Sequence, residues 1–460
     1  MIKQLLAGIF ASTIALSAWA DSTTDIVDAL VGKGVLTEEE GKLITKGHES
    51  KKKTQIEGRF KDGVSFTDGT GDNKFSINGR LQLDYRNYDT PSNTTSAVSN
   101  YADTFDLRRA YLGAKGTFNK YYDWEVTADF AQTTASQLDV AYVNLKWWQQ
   151  AQFQFGQFKM PYSLEERTSS RFIDFQERSF VNNSSLTPGK ERGFMIHGTP
   201  ITGVNYAVAV SAGAGKNTND TDNRVDSNDI ILHADTNLAE ILGNKEAVYH
   251  FGGSYGFGDI APGSVSAQRT EGRGTEFFAT SAFTDTGNKL ERNRYNLESA
   301  LAYNNFKLQG EYSNVEFKGA TSVGDYKRDL NAYYVEALWL VTGEKYADSY
   351  KGGKFDRIRP KADFNPDLKS GWGAWEVGAR YSRFDGSDFN TANATGTGVL
   401  TATTKTNKAD AYTLGLKWIP TPNTRVMLNY VDTKFDTPIT AAGQTIDSEK
   451  TVMVRTQFDF

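Results

Sequence analysis

Taken two residues at a time, the segment Thr451 to Phe460 divides into two unlike faces. Val452, Val454, Thr456, Phe458 and Phe460 fall on one, and Met453, Arg455, Gln457 and Asp459 fall on the other. Alternation with period two belongs to a β-strand, because successive side chains leave opposite faces of the pleat. This strand is mostly apolar and aromatic on one face, mostly polar on the other, and stops on an aromatic residue. Such a pattern suits the wall of a membrane barrel, with lipid outside and water inside. The same division recurs along the chain. Trp124, Val126, Ala128 and Phe130 oppose Glu125, Thr127 and Asp129; Trp375, Val377, Ala379 and Tyr381 oppose Glu376 and Arg380; Tyr412, Leu414, Leu416 and Trp418 oppose Lys417. A charged lumen and an apolar exterior account for each.

The amino-terminal residues set the compartment. Lys3, the apolar run from Leu5 to Ala18, and Ala18-Trp19-Ala20 read as a signal peptide over residues 1–20, with the mature chain beginning at Asp21. That run is shorter than the roughly 20 residues a spanning helix needs. An exported chain with no other apolar run long enough to span is either soluble or a barrel. Composition favours the barrel: 38% hydrophobic but 13% aromatic residues, with 42 glycines against 10 prolines, is thin for one soluble core of this length. A barrel wall needs apolar residues only towards lipid, with aromatics in two interfacial girdles. The absence of cysteine removes disulfides, thiolate metal sites and cysteine nucleophiles. A net charge of −5 without a basic patch argues against nucleic acid as a partner.

Residues 21–54 differ from the rest of the mature chain. Thr24 to Gly34 reads as a short helix stopped by glycine, and Thr37-Glu38-Glu39-Glu40 as a capping box opening a second helix, Glu38 to Lys46. Lys51, Lys52 and Lys53 read as a solvated linker. The pair is expected to be a small periplasmic helical hairpin, followed by a barrel domain over 55–460. Sixteen strands fit if both ends lie in the periplasm: 76–88, 105–117, 121–132, 137–148, 151–158, 191–199, 203–212, 228–237, 247–257, 293–303, 306–317, 330–341, 372–384, 409–419, 424–435 and 450–460. Short links such as Asn119-Lys120 and Asn304-Asn305 alternate with long polar ones at 89–104, 159–190, 213–227, 258–292, 318–329, 386–408 and 436–449. In bacterial barrels the short turns are periplasmic and the long loops extracellular. Residues 274–283 break the parity as a strand and are assigned to a folded loop. Residues 342–371 stand out as an unusually long periplasmic link.

Sixteen strands enclose an aqueous channel, so function rests on its constriction. The third loop, after the fifth strand, carries Tyr162, Phe172, Phe175 and Phe180 as apolar anchors for folding inward. Its Arg167, Arg171 and Arg178 are offset by Glu165, Glu166, Asp174 and Glu177. Arg80 shares a face with Gln82, Asp84 and Arg86 and should point into the lumen. Arg108 and Arg109 are adjacent, so a regular strand sends one of them outward. Arg109 is the lumen residue of the two; Arg108 needs a bulge, a position above the bilayer, or burial at a subunit contact.

Several segments, in order, resemble the phosphate-selective porin O and P family. They are Phe75 to Asp84, Phe105 to Ala114, Pro161 to Glu165 with Thr168 to Arg171, Gln176 to Ser179, Leu340 to Glu344, and the C-terminal strand. The resemblance implies a sixteen-stranded antiparallel transmembrane β-barrel, trimeric, with an inward-folded third loop. It further implies an outer-membrane channel selective for anions, phosphate first among them. Carried over by motif, the anion site comprises Arg80, Arg108, Arg109, Arg167, Ser170 and Arg171, with Asp129 orienting the basic groups. The loop 258–292 carries Arg269, Arg273, Lys289 and Arg292; these read first as solvated charges, with an inward fold that steers anions as the alternative. Expected partners are phosphate or other small anions, outer-membrane lipid, two further copies of the chain, and the barrel-assembly machinery through the strand ending at Phe460. No cofactor is expected. An enzyme is not expected either. His48 lies in the hairpin, His197, His233 and His250 lie on separate strands, and none sits in a G-x-S-x-G or H-E-x-x-H context. Residues 21–53 are too few for the plug of a TonB-type transporter. The competing reading is a general or differently selective porin, for other small anions or neutral solutes, on the same barrel.

Overall fold

The computed structural model describes residues 22–60, 63–89, 103–131, 138–217, 225, 227–367, 370–390, 395–400, 405–441 and 443–460. The signal peptide and most of the 89–104 loop lie outside them. Sixteen antiparallel strands form the wall: β1 Lys74–Tyr88, β2 Thr104–Phe118, β3 Tyr122–Asp129, β4 Leu138–Leu145, β5 Gln152–Lys159, β6 Lys190–Ile201, β7 Val204–Ser211 and β8 Asp229–Asn237. They continue as β9 Ala247–Ile260, β10 Leu290–Tyr303, β11 Phe306–Thr321, β12 Gly324–Leu340, β13 Ala374–Asp385, β14 Lys408–Thr421, β15 Thr424–Ala441 and β16 Gln444–Asp459. Each pairs with its chain neighbour, and β16 returns to pair with β1, from Thr451 opposite Tyr88 to Asp459 opposite Arg80. Closure leaves no edge in the wall, as hydrocarbon requires.

Burial is inverted relative to a soluble protein. Along β10, Arg292, Arg294, Asn296 and Glu298 are buried, while Tyr295, Leu297, Leu301 and Tyr303 are exposed. The buried face is the lumen and the exposed one meets lipid. Stacked outward aromatics, Phe306 on Trp339 at 5.8 Å and Trp375 on Trp418 at 5.5 Å, gather at the short-turn end, where an interfacial girdle belongs. The tight link Asn119-Lys120 has both residues at positive φ, 46° and 67°, the backbone a two-residue hairpin turn demands.

Helices α1 Ser22–Gly32 and α2 Glu38–Thr54 precede the barrel. The capping box forms: Thr37 N–H donates to Glu40 Oε2 at 2.9 Å, and Glu40 N–H to Thr37 Oγ1 at 3.2 Å. Helix α2 continues through the lysine triplet expected to be linker. A hairpin, Ile56–Phe60 with Val64–Asp68, then extends the sheet on β1 without entering the closed wall. At the other end of the chain Phe460 exchanges backbone hydrogen bonds with Gly79, at 2.9 and 3.1 Å. Its ring lies where a Cβ on Gly79 would be 2.5 Å away, so this position of β1 admits only glycine without a shift.

Three apolar cores fill part of the lumen, the smallest around Phe158, Met160 and Tyr162. Near the short turns, Tyr346, Phe355 and Ile358 of the β12–β13 link pack with Leu164 and Phe175 of the third loop and with Val248, Ala300, Leu338 and Ile419 of the wall. The length of 342–371 is thereby explained, since this link folds back into the barrel and supplies an apolar floor. At the long-loop end, Phe180 and Leu186 join Phe277, Phe278, Phe283 and Phe389. Residues 274–283 contribute to a two-stranded hairpin, Gln268–Arg269 with Glu276–Phe278, inside the loop as expected.

Candidate functional site

The third loop crosses the lumen and is tied to strands on every side. Its one-turn helix, Leu164–Arg167, begins at Ser163, and the Leu164 and Glu165 N–H groups donate to the Glu311 carboxylate of β11 at 3.1 and 2.6 Å. Glu165 accepts from Ser179 N–H at 3.0 Å, from Asn182 Nδ2 at 2.7 Å and from Arg380 of β13 at 3.3 Å. Gln176 N–H donates to Asn429 of β15 at 2.9 Å, and Lys307 of β11 to Asp174 at 2.6 Å. A buried charge is tolerable only when paired and hydrogen-bonded; here each acid of the loop is matched from the wall or from within.

Antiparallel register then sorts the nearby wall residues into rows. In one row Arg425 of β15 lies opposite Gln457 of β16, Gln457 opposite Gln82 of β1, and Gln82 opposite Arg109 of β2. Gln82 donates to Gln457 Oε1 at 2.6 Å and accepts from Arg109 Nη1 at 2.9 Å. The next row towards the short turns runs Asp459, Arg80, Tyr111, Asp129. Arg80 Nη1 donates to Ser170 Oγ at 2.8 Å, and its guanidinium lies 4.2 Å from the Tyr111 ring centre. Arg171 Nη2 donates to Asn78 Oδ1 at 3.1 Å. Phe172 is flanked by Arg425 at 4.8 Å and Arg357 at 5.1 Å.

The expected site is thus divided. Arg80, Ser170 and Arg171 are brought together, with Arg109 in the adjoining row. Among the described residues none of Arg80, Arg109, Arg171 or Arg425 makes an ion pair; their partners are a hydroxyl, amides and aromatic faces. Arg108 does enter the lumen, through a bulge: Gln82 faces Arg109 and Leu83 faces Leu107, leaving Arg108 as the extra residue. Its charge is matched there, since it donates to both oxygens of Glu177 at 2.9 and 3.2 Å. Arg455 and Arg86 reach the same carboxylate, at 2.9 and 3.2 Å. Arg167 is held by another wall, on Asp235 of β8 at 3.1 Å and Glu298 of β10 at 2.5 Å. Asp129 Oδ1 accepts the N–H groups of Ala110 and Ala131, both at 3.1 Å.

The 258–292 loop folds inward at one point while its Arg269, Arg273 and Lys289 side chains stay exposed. Its Glu271 is buried, accepting from Arg380 at 2.5 Å and from Phe180 N–H at 3.2 Å, so the loop is drawn inward. Of the exposed three, Arg273 is 4.0 Å from Glu177. Arg292 belongs to the wall and pairs with Asp229 at 2.5 Å, and Lys289 pairs with Asp259. Arg425 and Arg357 join the site without having been expected there. Arg425 alternates with outward Val426 and Leu428 just as Arg80 does with Leu81, so period two marks it as lumenal. Its alignment with Arg109 depends on register across four strands. Arg357, which donates to Asp459 at 2.7 Å, sits in the β12–β13 link, where no periodicity exists to read.

A family model described as phosphate-selective porin O and P matches residues 75–460. Porin O of Pseudomonas aeruginosa is 25% identical over 462 residues, spanning 95% of each chain. Among solved structures, a loop L8 deletion mutant of OmpT from Vibrio cholerae aligns with a TM-score of 0.52 at 11% identity, over 85% of this chain and all of that one. An anion-selective porin from Comamonas acidovorans aligns with a TM-score of 0.51 at 12% identity, over 84% of this chain and 100% of that one. At such identities these two likenesses speak for the fold alone.

Proposed function

This chain belongs to the phosphate-selective porin O and P family, and from that membership we propose a phosphate-binding constriction made by Arg80, Arg109, Ser170, Arg171 and Arg425. The protein is an outer-membrane porin of a Gram-negative cell. One observation carries the phosphate reading: four guanidinium groups converge around the third loop with neutral partners, while the neighbouring arginines are spent on carboxylates. Among the described residues, buried Asn78 Nδ2 and Arg425 Nη2 have no hydrogen-bond partner, so the site retains donors for an acceptor-rich anion. Arginine's planar fork matches phosphate oxygens in pairs. Each charge pair at about 4 Å contributes roughly 1–4 kcal/mol depending on the local dielectric, and conduction requires that the sum remain weak enough for release. Arg108 and Arg167 set the loop's position rather than binding the anion, Asp129 stiffens the β2–β3 backbone beside Tyr111, and Arg273 and Arg269 steer anions from the mouth.

The remaining features fit the same reading. Residues 1–20 are removed on export, α1 and α2 stand in the periplasm, and three copies pack through their outward faces. The strand ending at Phe460 is the one presented to the barrel-assembly machinery. The relatives are channels, and no catalysis is proposed. The test is conductance in planar bilayers with the chloride current titrated by phosphate. A saturable block that weakens in Arg80→Ala and Arg171→Ala is expected. No block, or a cation-selective reversal potential, leaves a general porin instead.

A further inference from the structure

On β8, His233 and Asp235 are two residues apart and so share the lumen face. Asp235 lies opposite Gly252 of β9, and Gly252 opposite Glu298 of β10. The intervening glycine matters. A Cβ there would sit 2.8 Å from Glu298 Oε1 and 2.9 Å from Asp235 Cβ, so only its absence lets the two acids close over the middle strand. One ligand atom from each of His233, Asp235 and Glu298 then lies within 4.8 Å of the others, and all three residues are buried.

The surroundings aim these atoms inward. His233 Nδ1 is 2.9 Å from Ser254 Oγ, which turns Nε2 towards Asp235 Oδ2 at 2.9 Å and Glu298 Oε1 at 3.9 Å. Asp235 Oδ1 accepts from Asn205 Nδ2 at 2.8 Å, leaving Oδ2 to the cluster. His250 Nδ1 is 2.7 Å from Tyr350 of the β12–β13 link, and its Nε2 is 3.0 Å from Glu298 Oε1, fixing that carboxylate. Partners on the far side of an imidazole or carboxylate are what orient metal ligands. Glu298 Oε2 is buried and has no hydrogen-bond partner among the described residues. The cation now bridging the two acids is Arg167, with its Nη1 on Asp235 and Nη2 on Glu298. Two carboxylates face this one guanidinium, and a divalent ion between them would match their charge.

We propose that His233, Asp235 and Glu298 bind a divalent first-row metal ion such as zinc, which takes the place of the Arg167 guanidinium between the carboxylates. One imidazole and two carboxylates form a donor set that zinc accepts. His250 is a positioning residue for Glu298. Binding at this place also detaches Arg167, and with it one tether of the third loop.

The test is titration of the detergent-purified porin with zinc chloride in phosphate-free buffer against a chromophoric chelator. One zinc per chain is expected, weakened roughly tenfold or more in His233→Ala and less in His250→Ala, unchanged in His197→Ala, and tightened in Arg167→Gln, where the competing cation is gone. The gain in Arg167→Gln guards against a histidine variant that loses zinc only by misfolding. Absence of stoichiometric zinc in the wild type, equal loss in His197→Ala, or no tightening in Arg167→Gln would overturn the assignment.

Discussion

A guanidinium attracts an anion to the extent that its charge is not already met by a carboxylate. By that measure Arg80, Arg109, Arg171 and Arg425 differ from Arg86, Arg108 and Arg455, which share Asp84 and Glu177. Replacing Arg425 or Arg80 by alanine is expected to weaken the phosphate block about tenfold, the equivalent of roughly 1.4 kcal/mol and within the range for one charge pair. Their combined effect should be less than additive, because all act on one bound charge. Arg108→Ala should weaken the block less than Arg425→Ala does, and only indirectly. Its cost falls on Glu177, a buried acid losing its two-point partner, and so on the ordering of the third loop. If Arg108→Ala abolishes the block while Arg425→Ala does not, the division of the arginines is wrong.

At the scale of elements, the join between β16 and β1 depends on the fit of Phe460 over Gly79. Gly79→Ala should lower the yield of folded barrel, read by heat-modifiable mobility in gels, and truncating the ring as well, in Gly79→Ala with Phe460→Ala, should relieve the clash. The β12–β13 link acts differently, as a floor: Tyr346, Phe355 and Ile358 hold Phe175 and Leu164 of the third loop. Replacing 342–371 by a short turn is expected to raise single-channel conductance and blunt anion selectivity together. In α2, the Thr37 N–H and then its hydroxyl hold the Glu40 carboxyl below its ordinary range. A carboxyl lowered in the folded state stabilises above its unfolded value and loses that effect as pH falls through the lowered one. The start of α2 should therefore fray only in acid, which amide exchange at position 40 would register, and Glu40→Gln, which removes the titrating carboxyl, should remove the pH dependence.

For the whole molecule, an even number of strands places both ends of the chain on one side of the membrane. Labelling of single cysteines on intact cells should reach residues in 386–408 and 436–449 and spare α1 and α2. Labelling of the helices from outside would invert the orientation. Outward aromatics and leucines serve lipid and subunit packing alike, so the trimer is tested by mass in mild detergent, where a monomer would refute it.

The sequence by itself determined the wall. Period-two alternation, short turns set against long loops, and the apolar exterior located sixteen strands, because each is a local consequence of a strand between water and lipid. It also placed Arg80 in the lumen and marked Arg108 as irregular, leaving a bulge as one of three ways to place it. What it left open was decided by pairs of residues far apart along the chain. Register across β15, β16, β1 and β2 aligned Arg425 with Arg109; inward folding of the third loop set Ser170 on Arg80 and sent Arg167 to the opposite wall. Closure of two strands over Gly252 brought His233 to Glu298, although each histidine had looked solitary on its own strand. Periodicity fixes the face from which a side chain leaves the sheet. Which other side chain it meets depends on register and loop path, and those are settled only when the barrel closes and its lumen fills.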